Sequence, residues 1–199
     1  MAKAAWLTAN PTSGSGNGSV GNTASENSGR NQRTTSLTFK ASAVADQPVD
    51  VTQAGRPEFV TIENVSALKA GGNVTINGVS NSSKLTFSLG TGDITISLPG
   101  SYTAGGATTT NGAAVAGDPG ASAAFNFSIT VNVPANTTTG AKSKIIIVTT
   151  NGGQTESATI TQAAGDPSLI VSPSEIALTW QGTPAVTVTV TSNTNWTVE

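Results

Sequence analysis

From Val186 to Thr191 valine and threonine alternate without a break, Val186-Thr187-Val188-Thr189-Val190-Thr191. In an extended strand that period of two sends every valine to one face and every threonine to the other, whereas a helix would scatter both around its circumference. The segment therefore reads as a half-buried antiparallel strand. The same habit recurs along the chain in short runs rich in Thr, Val and Ile, separated by Gly, Asn, Ser and Pro clusters. The runs cover 36–41, 49–53, 59–64, 73–76, 85–89, 93–98, 124–133, 144–149, 156–162, 169–171 and 184–190. Helix periodicity is almost absent, so the expected fold is all-β.

Composition narrows the chemistry. The 199 residues include no Cys and no His. That excludes a disulfide framework, a thiolate nucleophile, a zinc finger and an imidazole base. Only 10% of residues are charged, with a net charge of −2, and the nine Lys and Arg are scattered. A nucleic-acid or membrane partner, which needs a basic cluster or face, is not expected. The close pairs, Arg30 with Arg33 and Lys142 with Lys144, fall at strand starts and read as solvated strand ends. No run of acids has calcium-loop spacing and no close pair of carboxylates appears; Asp93, Asp118, Glu156 and Asp166 stand isolated at turns. The expectation is no enzyme, no metal and no cofactor.

Two segments superpose when laid over each other. One ends Val51-Thr52-Gln53-Ala54-Gly55-Arg56-Pro57, the other Ile160-Thr161-Gln162-Ala163-Ala164-Gly165-Asp166-Pro167. Upstream, Asn27 falls on Asn136, Arg33 on Lys142, Leu37 on Ile146 and Phe39 on Val148. Each copy then passes through a short linker into a new apolar run, Phe59-Val60 or Leu169-Ile170-Val171. A period of about a hundred residues is the size of an immunoglobulin-like sandwich.

These motifs resemble the BACON family of immunoglobulin-like domains, bacteroidetes-associated carbohydrate-binding modules that are often N-terminal. The resemblance is carried out of order. The opening half lies at the carboxyl end, in Val171-Ser172-Pro173-Ser174, the strand Val186 to Val190, and Ser192-Asn193-Thr194-Asn195-Trp196. The closing half lies at the amino end, in Ala5-Trp6-Leu7, Pro11-Thr12-Ser13-Gly14-Ser15-Gly16-Asn17-Gly18, Arg33, and Val51-Thr52-Gln53-Ala54-Gly55. The expected organisation is tandem sandwiches with one of them split: residues 1–55 a closing half, 58–165 a complete divergent sandwich, and 168–199 an opening half.

Half a sandwich exposes an apolar face and unpaired strand edges, which is costly in water. Three arrangements remain open. Residues 168–199 of one copy complete residues 1–55 of the next, head to tail; or they fold back on their own amino end; or the chain is a piece of a longer array. The linkers 55–57 and 165–167 each reach about 10 Å at about 3.3 Å per residue. A 100-residue domain separates its poles by about 35 Å. Self-closure thus requires the middle unit to double back.

The complementation seam is expected at Trp6, Leu7, Val186, Val188, Val190 and Trp196. Trp180 and Tyr102 are the candidates for a carbohydrate or partner contact, since aromatic rings stack on sugars. The Gly-, Ala- and Thr-rich stretch 100–123 is long for a sandwich loop and reads as a functional or flexible segment. The amino-terminal seven residues hold no apolar run of signal-peptide length, so the expected product is made and kept in the host cytoplasm. Together with the resemblance, this points to a structural phage virion protein, a capsid decoration or fibre component. Its expected partners are copies of itself, other virion proteins and surface glycans. A cell-surface fibre or carbohydrate-binding adhesion module of a Bacteroidetes bacterium is the alternative.

Overall fold

The computed structural model describes residues 3–182 and 184–199. Met1, Ala2 and Thr183, which belong to the expected terminal halves, lie outside the described residues. Every regular element among the described residues is a strand, so the chain is all-β.

The middle of the chain folds as a two-sheet sandwich. Its strands are β5 (Val60–Ile62), β6 (Val65–Ala67), β7 (Gly72–Ser80), β8 (Leu85–Gly92), β9 (Ser101–Ala104), β10 (Ala107–Thr110), β11 (Phe125–Val133), β12 (Lys142–Thr150) and β13 (Thr155–Gln162). One sheet runs β10-β9-β11-β7-β5 and the other β6-β13-β12-β8. Alternation builds the core. Phe125, Phe127, Ile129, Val131 and Val133 of β11 all point inward, meeting Leu85 and Phe87 of β8 and Ile146 and Val148 of β12. Phe87 packs edge to face against Tyr102 and Phe127, with ring centroids 4.9 and 5.7 Å apart, a geometry that aligns ring edge with ring face. Gly78 makes room for that cluster, because a Cβ there would lie 2.3 Å from the Phe127 ring.

The flanks are thinner. On the amino side, β1 (Leu7–Asn10) pairs with β2 (Gly21–Ala24), and β3 (Arg33–Phe39) pairs with β4 (Gln47–Gln53). Leu7 and Leu37 are buried where these two hairpins meet. On the carboxyl side, β14 (Leu169–Ser172) pairs only with β15 (Thr189–Ser192). A sandwich needs a second face to close its core, and each terminal segment carries only part of one.

Three expectations are corrected. Residues 93–98 alternate as a strand would, with Ile94 and Ile96 buried, but form no ladder. The reason is local: Gly92 has φ +137°, the β8–β12 register breaks there, and the Asp93 and Ile94 N–H groups both donate to the Ser143 carbonyl. The chain leaves the sheet while still pressing its isoleucines into the core. The stretch 100–123 is no bare loop, since it holds the β9–β10 hairpin, turned by Gly105 and Gly106 at positive φ. Residues 184–188 stay outside the strand that their valines predict, leaving only Thr189–Ser192 laddered. A ladder needs a neighbour on the strand's edge, and here none covers these residues.

Candidate functional site

The repeat proposed from sequence is visible hydrogen bond by hydrogen bond. The Asn136 amide donates to the carbonyls of Gly140 and Ala163 at 2.7 and 3.0 Å. The Asn27 amide donates to Asn31 and Ala54 at 2.9 and 3.1 Å. Gln162 donates to Pro134 at 2.7 Å and Gln53 to Ser25 at 2.9 Å. These four side chains tie the closing strands to the preceding turn in each copy.

The opening strands repeat as well. Ser80 Oγ donates to the Phe59 carbonyl at 2.7 Å, while Asn81 accepts from Phe59 N–H and donates to Pro57. Ser192 Oγ likewise donates to Ser168 at 2.9 Å, and Asn193 accepts from Ser168 N–H and donates to Asp166. The β14–β15 hairpin therefore copies β5–β7, with Leu169 opposite Ser192 as Val60 is opposite Ser80.

Both terminal segments leave large apolar side chains exposed. Phe39 is 44% exposed where its counterpart Val148 is 0% exposed. Trp196 and Val198 are 51% and 83% exposed; Leu85 and Phe87, which follow the equivalent Ser-Asn clasp in the middle copy, are 0% and 3%. Val186 and Val188 are exposed, Val190 is half-buried, and Leu169, Ile170, Val171, Ile176 and Leu178 are all exposed. In the amino segment a groove of about 800 Å³ lies open between the 11–20 loop and β3, lined by Ala9, Pro11, Val20, Leu37 and Phe39. The rest of its lining is polar or glycine, including Lys3, Ser13, Asn17 and Lys40.

Trp6 and Leu7 are already engaged inside the amino segment. Leu7 is buried, and the half-buried Trp6 ring lies under the Arg33 guanidinium at 4.6 Å, a cation–π contact. Arg33 also holds the Ser25 carbonyl and the Gln53 side-chain oxygen. Trp6 and Leu7 lie in the amino segment and Val186, Val188, Val190 and Trp196 in the carboxyl segment, and among the described residues no ladder joins β1 or β2 to β14 or β15.

The two aromatic contact candidates diverge. Trp180 is 92% exposed on a turn, its ring free to face solvent. Tyr102 is 4% exposed in the core, so it is unavailable to a ligand in solution. Burial pushes its phenol above the usual range, partly opposed by the Leu85 backbone, and its hydroxyl finds no well-formed hydrogen bond.

A polar joint that sequence reasoning missed ties the amino segment to the middle sandwich. Arg30, expected as a solvated strand end, makes two hydrogen bonds to Asp118 at 2.6 and 2.8 Å, faces Glu58 at 3.3 Å and donates to the Asn81 carbonyl. Glu58 is buried and accepts from Gly152 N–H at 2.6 Å, Ser82 Oγ at 2.9 Å and Ser83 N–H. Desolvation pushes its carboxyl upward, but those three donors and Arg30 outweigh it and hold it below the usual range. The Arg30 hydrogen bonds likewise lower Asp118. The partners are so distant in sequence that no local signal joins them. At the other junction Asn193 donates to Thr137 at 2.8 Å and Lys69 meets Asp166 at 2.6 Å, both exposed. Among the described residues no group of three or more acids, His or Cys could hold a metal ion.

The fold is a β-sandwich flanked by two terminal segments that expose apolar side chains. Residues 1–54 match the model of the BACON family, described as "Putative binding domain, N-terminal". The resemblance read from Trp6-Leu7, the glycine-rich turn and Val51-Thr52-Gln53-Ala54-Gly55 therefore holds over that segment, and the family is one of binding domains rather than enzymes. No curated protein matches the chain.

Proposed function

We propose that the chain is a non-enzymatic joining protein in which residues 168–199 of one copy complete the open half formed by residues 3–55 of the next. The supporting observation is the pair of matched cores. Positions shut in the middle sandwich lie open in both terminal segments, and each segment carries the strands the other lacks. Main-chain ladders supply adhesion in such strand addition, and alternate side chains supply selectivity. Because one patch meets a different patch, the contact is heterologous and propagates from copy to copy.

Size-exclusion chromatography with light scattering should show multimers that grow with concentration, and removal of residues 184–199 should abolish them. A full-length chain that stays a compact monomer sinks the proposal. We set this joining role in a phage particle, following the sequence argument, and mass spectrometry of purified particles is the direct check. A glycan-binding role is the second reading, favoured by the solvent-facing Trp180 ring. It predicts array binding that Trp180→Ala removes, and an array on which both proteins are silent would end it.

A further inference from the structure

The middle sandwich is a template for the joint as well as a neighbour of it. Resting on the joining reading above, we infer that residues 168–199 of a second copy enter the amino segment along three edges in one fixed register. That register follows from the repeated clasps. With Ser192-Asn193 set on Ser80-Asn81, Val186, Val188 and Val190 fall on Val74, Ile76 and Gly78; the turn after the clasp is one residue shorter in the carboxyl segment (194–195 against 82–84), and with that gap Trp196 and Val198 are assigned the core positions of Leu85 and Phe87.

The first edge is β2. In the template β11 lies antiparallel to β7, with Asn132 opposite Asn73, Ile129 opposite Ile76 and Phe127 opposite Gly78. Transferred through the repeat, Thr23 stands opposite Ala185, Val20 opposite Val188 and Gly18 opposite Val190. The β15 strand then extends back through 184–188, the residues left unladdered in the free chain. Asn22 takes the place of Val131, and its amide already holds the Val20 carbonyl.

The second edge is β3, where the template pairs Phe87 with Val148 and Leu85 with Thr150. Val198 accordingly lies opposite Phe39 and Trp196 opposite Ala41, and both partner side chains drop into the groove beside Leu37. The third edge is β4. Its counterpart β13 pairs in parallel with β6, Ile160 opposite Val65 and Gln162 opposite Ala67. The alternating Ile176 and Leu178 fit those places against Val51 and Gln53. Gln162 has a second acceptor just past β6, the Leu68 carbonyl at 3.0 Å. Gln53 gains the matching one only when the second copy arrives.

Size complementarity supports the register independently. In the template a large residue on the closing strand, Phe127, faces a glycine on the opening strand, and a Cβ on Gly78 would strike its ring. In the joint the pair is reversed, with Gly18 on the closing segment facing Val190. A side chain added at Gly18 meets nothing within 4 Å in the free chain. Shifting the register by one residue would turn every valine of the entering strand to the opposite face.

The test uses the absence of native cysteine. The full chain carrying Thr23→Cys and Ala185→Cys is oxidised and run on a non-reducing gel beside Thr23→Cys with Thr187→Cys, a pair displaced by two residues along the same face. Expected is a ladder of linked copies for the first pair, several-fold stronger than for the second. Equal ladders, or a stronger displaced pair, overturn the register while leaving joining intact. A fast-migrating linked monomer overturns the second copy as occupant. A complementary variant, Gly18→Leu, should keep the far-ultraviolet circular dichroism of the folded chain yet run as a monomer; wild-type multimers from it would also overturn the register. Failure of the unmodified chain to form multimers in light scattering strikes the joining reading itself.

Discussion

Val148 and Phe39 occupy the same place in two copies of one repeat, with Ile146 and Leu37 two residues before them. In the middle copy both sheets are present, and Val148 and Ile146 are sealed from water. In the amino copy Leu37 is buried, as is Leu7, but Phe39 is exposed and lines an open groove. The hydrogen bonds within the closing strands are the same in both, from the Asn clasp to the Gln tether. Local sequence is therefore enough to set the turns and ladders of the amino segment, while a fully closed core appears only where two complete sheets face each other. Burying one large apolar side chain contributes about 1.5–3 kcal/mol, so Phe39, Trp196, Val186 and Val188 together hold a large unrealised contribution.

The strongest way to break this comparison is to truncate one core-facing side chain in each copy. Ile146→Ala should lower unfolding stability by about 2–5 kcal/mol, because it leaves a cavity in a shut core. Phe39→Ala, measured at a concentration where copies are dissociated, should cost under about 1 kcal/mol, the scale of a solvent-facing change. Urea melts followed by circular dichroism compare them. If Phe39→Ala costs as much as Ile146→Ala in the monomer, the amino core is already closed. Loss of multimers in Phe39→Ala at high concentration would sharpen the contrast instead.

The tether glutamines test the same contrast at smaller scale. Gln162 is buried and feeds two carbonyls, those of Pro134 and Leu68. Gln162→Ala strands both, and each unsatisfied buried group costs about 1–3 kcal/mol. Gln53 is half-buried and feeds one carbonyl, Ser25, which Arg33 also serves. Gln53→Ala should therefore cost under about 1 kcal/mol in the separated chain. Equal losses in the two melts would mean that Gln53 already has its full set of partners.

Much of this was legible in the sequence, and what was not has definite physical causes. Alternation in 124–133, 144–149 and 156–162 marked strands that a full sandwich covers on both edges, and those strands formed. The Gln53 and Gln162 signatures and the Asn27–Asn136 register announced a repeat whose hydrogen bonds then matched. Alternation failed where a ladder depends on something beyond the strand itself. Residues 93–98 lose theirs to the turn at Gly92, and 184–188 lack a neighbour. The β9–β10 hairpin escaped notice because Ser101-Tyr102-Thr103-Ala104 and Ala107-Thr108-Thr109-Thr110 carry too few large apolar residues to signal period two. Tyr102 is a contact candidate on ring chemistry alone, whereas alternation along β9 turns Tyr102 and Ala104 into the core. The Arg30 joint was invisible for a different reason: it is made by charges on three separate segments, and sequence places none of them near another.

The two junctions supply the smallest effect and the subtlest comparison. At the amino junction Glu58 is buried and its carboxyl is held below the usual range by Gly152, Ser82, Ser83 and Arg30. A carboxyl with a depressed folded pKa contributes stability that is fully present above its unfolded value and is lost as pH falls through the folded one. Asp118, lowered by Arg30, acts in the same direction. At the carboxyl junction Lys69 and Asp166 are exposed, and such pairs contribute about 0–1 kcal/mol. Acid titration from neutral pH should therefore begin to weaken the chain only as pH enters the carboxylate range. Glu58→Gln should flatten that acid limb. An acid limb untouched by Glu58→Gln would mean that the Arg30 joint does not carry the pH dependence.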